Sequence, residues 1–197
     1  MCESCGPRAV PRRGLGRLAA GMAAMVSLAP GSRAASTDAP IEPRLRLSGV
    51  PADRHVVALT FDCCPGAFYA RIASELIAQR IPATIFLTAL WIRRNPTGLA
   101  MLVAHPELFA FENHGALHVP PVLGDGAIFG IRVAGSLPAI LREIEDGAAA
   151  IKEVTGTTPR WYRAATGFYT PSVIPEIRSM GFAIGGYAFS ADLGASL

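Results

Sequence analysis

The chain has 197 residues, of which 51% are hydrophobic and 17% are charged, a composition typical of a folded domain rather than a disordered chain. Its formal net charge of +3 is unevenly distributed: residues 1–54 hold 8 arginines against 4 acids, and residues 55–197 hold 10 Lys and Arg against 11 acids. The basic excess therefore belongs to the N-terminal quarter. No basic run interleaved with aromatics follows it, which argues against a nucleic-acid-binding protein.

Residues 1–35 have the pattern of an export signal. Several arginines precede an Ala- and Gly-rich apolar stretch at 18–28, and Ser32-Arg33-Ala34 would suit a signal peptidase. The adjacent Arg12 and Arg13 leave the twin-arginine route open. The leader pattern predicts an exported protein, periplasmic or secreted. Because the apolar stretch is shorter than the roughly 20 residues of a membrane span, we expect no stable span. A cytoplasmic protein with a basic tail is the alternative.

The four cysteines form two close pairs, Cys2 with Cys5 and Cys63 with Cys64. This is not the spacing of a disulfide framework distributed over a small domain. The first pair lies before the arginines of the leader, and we assign it no function.

Residues 36–54 contain prolines and charges without an apolar period, which predicts a linker into a folded domain that spans residues 55–197. Short apolar runs then alternate with longer amphipathic stretches, as is typical of β/α units that build a parallel sheet or barrel. In chain order the pattern predicts strands at 56–61, 83–88, 108–111, 160–163 and 182–187, and helices at 67–79, 96–104, 137–154 and 171–180.

Polar side chains follow the C-terminal ends of several predicted strands, namely Asp62, His114, Arg163 and Asp192. In β/α barrels the loops at these ends converge on one mouth, and the catalytic groups come from there. The pattern therefore predicts a site at that edge. For Asp62 taken alone, a helix N-cap is the alternative.

His114 and His118 are four residues apart, so a tight turn over 113–118 would direct both imidazoles to one side, where they could share a metal ion. Zinc proteases of similar spacing place a glutamate directly after the first histidine. Gly115 stands there, so the protease interpretation fails. A pair of structural histidines remains the alternative.

Four stretches together resemble the polysaccharide deacetylase family, whose motifs are Thr-Phe-Asp-Asp-Gly-Pro, Ala-Thr-Phe-Phe, Asn-His-Ser/Thr-x-x-His and Arg-x-Pro-x-Gly. The corresponding stretches are Thr60–Pro65, Ala83–Phe86, Asn113–His118 and Arg163–Gly167. The resemblance covers about residues 55 to 197. It implies a distorted (β/α) barrel that removes acetyl groups from an N-acetylated glycan, such as chitin or peptidoglycan, with a divalent metal that is usually zinc.

The resemblance also implies roles by position. Asp62 would be the general base, and Arg163 would orient it through a charge-assisted hydrogen bond. His114 and His118 would be metal ligands, together with Cys63, which stands where the family has its metal-binding aspartate. If Cys63 does not bind, Asp62 becomes a ligand instead of the base. Asp192 matches a later acidic position that supports the catalytic acid.

The match to the family also breaks in places. Cys64 replaces a glycine, Gly115 replaces a hydroxyl residue, and the closing Leu-x-His motif that carries the family's general acid is not found before Leu197. With about five predicted strands, the barrel is expected to be incomplete at its C-terminus. Two alternatives stay open: a catalytically impaired relative that binds glycan, and a metal- or redox-responsive exported protein centred on Cys63, Cys64 and the two histidines.

Overall fold

The computed structural model describes residues 38–51 and 53–188, which contain seven β-strands and five α-helices. The strands are β1 (Thr60–Cys63), β2 (Ala83–Leu87), β3 (Phe109–Asn113), β4 (Ala127–Ile128), β5 (Ile131–Arg132), β6 (Trp161–Tyr162) and β7 (Ala183–Ile184). The helices are α1 (Ala70–Ala78), α2 (Ala89–Arg94), α3 (Pro96–Val103), α4 (Leu137–Thr155) and α5 (Ile174–Ser179).

Five of the strands form one parallel sheet in the order β1-β2-β3-β6-β7, while β4 and β5 form a separate antiparallel hairpin. The predicted α/β class with a parallel sheet is confirmed. Because all five strands run the same way, their C-terminal ends share one edge of the sheet. Within the described ranges no pairing closes β1 onto β7, so these strands form an open sheet.

Two apolar clusters pack against the sheet. The first joins α1, α2 and α3 to β2 and β3, and its largest buried side chains are those of Trp91, Leu87, Ile151, Ile85 and Phe109. The second lies between α4, α5 and β6, and includes Tyr162, Tyr169, Ile140, Ile144 and Ile177. Helix α4 contributes to both clusters and so fixes its position relative to the whole sheet.

The bounds of α4 follow from its sequence. Pro138 lies in the first turn, where its missing N–H is tolerated. Gly156 ends the helix in the left-handed conformation at φ 73°, and its N–H donates to the Lys152 carbonyl. The prediction of 137–154 with a stop at Thr155-Gly156 is confirmed to within one residue.

The first strand begins later than its apolar run predicts. Pairing with β2 starts at Thr60 opposite Thr84, and Val57, inside the predicted strand, is 87% exposed. The partner strand is the cause, because β2 begins directly after Pro82, and proline has no N–H with which to extend a ladder.

Helix α2 was not predicted, because its apolar residues continue directly from β2. Its start is set by Thr88, whose Oγ1 accepts a hydrogen bond from the Trp91 N–H at 3.0 Å. The same hydroxyl donates to the Cys63 carbonyl at 3.0 Å. Thr88 therefore fixes the start of α2 against the end of β1.

The segment predicted as a linker contacts the folded domain. Ile41 exchanges two backbone hydrogen bonds with Tyr169, at 2.8 and 2.9 Å. The Asp38 carboxylate accepts a hydrogen bond from the Ser172 N–H at 3.0 Å, and Glu42 accepts one from the Tyr187 hydroxyl. The segment lacks helix, as its prolines predict, but it is attached to the domain well before residue 55.

No helix among the described residues combines the length and the apolar character that crossing a bilayer requires.

Candidate metal centre

The carboxyl edge of the parallel sheet brings together side chains that are far apart in the sequence. Strand β1 ends in Asp62 and Cys63 and is followed by Cys64, β3 is followed by His114, and β6 is followed by Arg163. The predicted convergence of Asp62, His114 and Arg163 at this edge is what the structure shows. Asp192 lies outside the described residues, as do Cys2, Cys5 and the predicted export signal.

Three possible metal ligands form a cluster here: Cys64, His114 and His118. Their ligand atoms all lie within 4.8 Å of one another, and Sγ of Cys64 is 3.6 Å from Nε2 of His114. The two imidazole rings meet edge to face with centroids 4.9 Å apart. The predicted placement of both histidines on one side of a turn is therefore present.

The thiol beside the histidines is that of Cys64, not the predicted Cys63. Successive side chains of a strand point to opposite faces of the sheet. Asp62 and Cys64 therefore share the face of the site, whereas Cys63 points to the other face and packs against the apolar cluster under α1–α3. Burial raises the pKa of the Cys63 thiol to about 12, with the Asp62 and Cys64 charges acting in the same direction. Such a thiol suits apolar packing better than ligation.

A hydrogen bond at its other nitrogen orients His114. Nδ1 lies 2.9 Å from the Arg163 carbonyl oxygen, which can only accept, so Nδ1 carries the proton. Nε2 is then the unprotonated nitrogen, and it faces Cys64. The ring is 2% exposed, which restricts its movement. A partner of this kind on the far nitrogen is the usual support of a metal-binding histidine.

Burial also keeps both histidines neutral. It lowers the pKa of His114 below its ordinary value, although the Asp62 charge and the Arg163 carbonyl act the other way. It lowers the pKa of His118 to about 4, with the His114 charge acting in the same direction and that of Asp62 opposing it. Neutral imidazole is the form that binds a metal.

Arg163 holds the predicted base. Its Nη1 donates to Asp62 Oδ1 at 2.8 Å and to Thr60 Oγ1 at 3.0 Å. Its Nε donates to the Gly185 carbonyl at 2.7 Å, and its guanidinium carbon lies 4.0 Å from the centroid of the Phe86 ring. A planar group fixed at this many points holds the Asp62 carboxylate, whose side chain is 32% exposed, in one orientation.

Sequence reasoning named Cys64 only in the alternative centred on both cysteines and the two histidines, and it missed Glu143. Cys64 could have been assigned as the ligand, because it follows Asp62 by two residues and continues the alternation of β1 onto the same face. Glu143, on α4, accepts hydrogen bonds from the backbone of the loop that carries His118. The signal for Glu143 is an acidic residue between Ile140 and Ile144 on the buried side of α4, where charged residues are rarely found.

The fold and the cluster define a parallel α/β protein with a possible metal site at the carboxyl edge of its sheet. Residues 49–185, more than half of the chain, match the profile of the polysaccharide deacetylase family. The chain therefore belongs to the polysaccharide deacetylase family. No curated protein sequence matches it.

Solved structures show the same fold. A family 4 carbohydrate esterase from Bacillus anthracis is 20% identical with a TM-score of 0.52, over 70% of this chain and 69% of that one. The peptidoglycan deacetylase PdaC from Bacillus subtilis is 23% identical with a TM-score of 0.50, over 69% and 60%. A CE4 family pseudoenzyme from Bacillus anthracis is 19% identical with a TM-score of 0.52, over 67% and 43%. The chain thus spans less than half the length of that pseudoenzyme. The predicted barrel class, that of the polysaccharide deacetylases, is confirmed by these neighbours.

Proposed function

We propose that this protein is a metal-dependent hydrolase that removes N-acetyl groups from a polysaccharide or oligosaccharide. The proposal rests on one observation: two kinds of group lie together at one edge of the sheet. These are the Cys64, His114 and His118 cluster and an Asp62 carboxylate fixed by Arg163. Family membership supplies the substrate class, because the family acts on N-acetylated glycans.

The cluster fits a divalent metal, and zinc in particular. One thiolate and two neutral imidazoles are zinc's preferred donors, and a centre with three protein ligands is typical of catalytic zinc. The 3.6 Å between Cys64 Sγ and His114 Nε2 suits two ligands of one ion, whose bonds are about 2.3 Å to sulfur and about 2.0 Å to nitrogen. Such an ion supplies Lewis-acid polarisation and lowers the pKa of water to about 7.

In this proposal Asp62 is the general base. Arg163 Nη1 occupies Oδ1, so Oδ2 would take the proton from the water that attacks the acetyl carbonyl. Cys63 lies on the opposite face, but Cys64, His114 and His118 already supply three ligands. Asp62 is therefore not needed as a ligand and stays the base in this proposal. The support of a catalytic acid by Asp192, which lies outside the described residues, stays a prediction from the family resemblance.

Acetate release from N-acetylglucosamine oligomers and from peptidoglycan fragments tests the proposal. Zinc-loaded protein should release acetate from one of these substrates. Asp62→Asn should lower the rate by about 10²–10⁴-fold and leave zinc affinity unchanged, because it removes the base and no ligand. His114→Ala should abolish both. A matched control is His105→Ala, since His105 contacts Glu107 and not the site. Metal-loaded protein that releases no acetate from any of these glycans would contradict the proposal.

A second candidate is a relative that binds glycan without turnover. The observation that favours it is the donor set, in which Cys64 supplies a thiolate and the metal-binding aspartate of the family motif is replaced by Cys63. One structural neighbour is described as a pseudoenzyme. This candidate predicts retained binding of chitin oligomers, measured calorimetrically, with no acetate released.

We also propose that the protein is exported through its N-terminal 35 residues, because their arginines precede an apolar stretch and a cleavable Ser32-Arg33-Ala34. Fractionation of cells that express the full chain, followed by N-terminal sequencing of the mature protein, tests this proposal. Recovery of an uncleaved chain in the cytoplasm alone would contradict it.

A further inference from the structure

The loop between His114 and Val119 has a backbone that needs external support. Gly115 lies at φ 88° and His118 at φ 68°, both in the left-handed region. This conformation is uncommon for any residue other than glycine, and the surrounding structure has to offset its cost. The conformation matters because it directs the His118 ring towards His114 and Cys64.

One carboxylate oxygen of Glu143 bonds to the backbone on both sides of His118. Oε1 of Glu143 accepts a hydrogen bond from the Leu117 N–H at 2.8 Å and another from the Val119 N–H at 3.1 Å. These two N–H groups flank His118 on either side, and the N–H groups of Ala116 and His118 also interact with the same carboxylate. Several backbone N–H groups of the loop therefore point at the Glu143 carboxylate.

Glu143 is itself buried, at 7% exposure, and none of the ion pairs among the described residues involves it. A buried carboxylate without a cation is costly unless hydrogen bonds compensate it. The compensation here comes from the backbone of the loop. Among the described residues, the hydrogen bonds that the Glu143 carboxylate accepts come from this loop.

Two glycines allow the close approach of α4 to the loop. A Cβ on Gly115 would lie 2.6 Å from Glu143 Oε1, and a Cβ on Gly147 would lie 2.6 Å from the carbonyl carbon of Gly115. One residue after Glu143, the Ile144 carbonyl accepts a hydrogen bond from Asn113 Nδ2 at 2.9 Å. Helix α4 therefore contacts this region at three positions, Glu143, Ile144 and Gly147, and Glu143 is the one that reaches the donors on either side of His118.

We infer that Glu143 is a positioning residue of the metal centre, which holds His118 in its ligating orientation through the backbone N–H groups of Leu117 and Val119. The inference rests on the proposed function, because it assumes that His118 binds the metal. Glu143 touches neither substrate nor the reacting atoms. Its effect is expected on metal affinity, by way of His118.

Calorimetric titration of three variants with zinc tests the inference. Glu143→Ala removes both hydrogen bonds and should weaken zinc binding by about 10–100-fold, the usual cost of losing a residue that supports a ligand. Glu143→Gln keeps an oxygen that accepts both N–H groups and should stay within about threefold of the parent protein. Glu145→Ala, an exposed acid two residues along the same helix, is the matched control and should change nothing.

A double variant decides whether the effect passes through His118. If it does, adding Glu143→Ala to His118→Ala should cause no further loss of zinc affinity, since the ligand that Glu143 positions is already gone. The cobalt-loaded proteins give a spectroscopic measure of the same point, because the absorption bands of cobalt report the number of ligands.

The inference would be overturned if Glu143→Ala bound zinc with the parental affinity or unfolded. It would also be overturned if Glu143→Gln and Glu143→Ala lost equal amounts of zinc affinity, or if the losses of zinc affinity in the double variant were additive. Absence of zinc binding by the parent protein overturns the proposed metal centre itself. Parental zinc binding with an unaffected Glu143→Ala overturns only the positioning role.

Discussion

At the scale of single residues, the two adjacent cysteines have different surroundings. Cys64 lies beside His114 at the edge of the sheet, and Cys63 lies in the apolar cluster on the opposite face. The difference follows from the alternation of side chains along a strand. A motif comparison aligns Cys63 with a ligand, while the geometry selects its neighbour.

This difference predicts opposite outcomes for two matched substitutions. Cys64→Ala should weaken zinc binding strongly, by at least about tenfold, because a ligand is lost. Cys63→Ala should retain zinc binding and instead lower the free energy of unfolding by about 1 kcal/mol, since it removes a partly buried side chain from the cluster. Calorimetric zinc titration and urea unfolding measure the two effects. Retained binding in Cys64→Ala with lost binding in Cys63→Ala would reverse the assignment.

The buried histidines predict an acid-dependent stability of the metal-free protein. Burial lowers the pKa of His118 from its ordinary value of 6.5 to about 4, so between these two pH values the unfolded chain binds a proton that the folded chain excludes. The free energy of unfolding should therefore fall as the pH is lowered through this window. The buried Glu143, whose pKa is raised, acts in the opposite sense.

Comparison with His118→Ala isolates the contribution of His118 to the pH dependence of the free energy of unfolding. Urea unfolding at pH 7, 6 and 5 should show a steeper loss of stability for the parent protein than for the variant. Parallel curves for the two proteins would show that His118 is not buried as described.

At the scale of elements, α4 connects the two apolar clusters to the loop of the site. Its prediction from sequence succeeded because its apolar residues keep a helical period over 19 residues and because Gly156 marks its end. The start of β1 and the whole of α2 were missed. Their bounds depend on a partner strand and on the Thr88 cap, which the apolar pattern does not contain.

The close contact of α4 with the loop predicts an unusual response to Gly147→Ala. Alanine favours a helix by about 1 kcal/mol over glycine. Here its Cβ would lie 2.5 Å from Asn113 Oδ1 and 2.6 Å from the Gly115 carbonyl carbon, so overpacking should outweigh the gain and lower the free energy of unfolding by about 1–2 kcal/mol. Gly66→Ala, whose Cβ would meet nothing, is the control and should stay within about 0.5 kcal/mol of the parent. A stabilised Gly147→Ala would contradict the described packing.

At the scale of the whole molecule, residues 38–46 belong to the folded unit. Asp38, Ile41 and Glu42 each bond to residues between 169 and 187, more than 120 positions away in the sequence. A chain that begins at residue 47 should therefore unfold more easily than one that begins at residue 36, by on the order of 2 kcal/mol, since several hydrogen bonds of about 0.5–1.5 kcal/mol are lost. Urea unfolding of the two chains measures this, and equal stabilities would show that the segment is a linker after all.

By itself the sequence determined the α/β class, the order of most strands and helices, and the family. Each of these follows from the local period of the apolar residues and from short motifs in a fixed order. It also named Asp62, His114, His118 and Arg163, because polar residues at the ends of apolar strands are visible locally. Only the tertiary structure decided that Cys64 rather than Cys63 meets the histidines and that Glu143 supports their loop. These two depend on the face of a strand and on the packing of a distant helix, since contacts across 24 or more positions leave no mark on the residues between them.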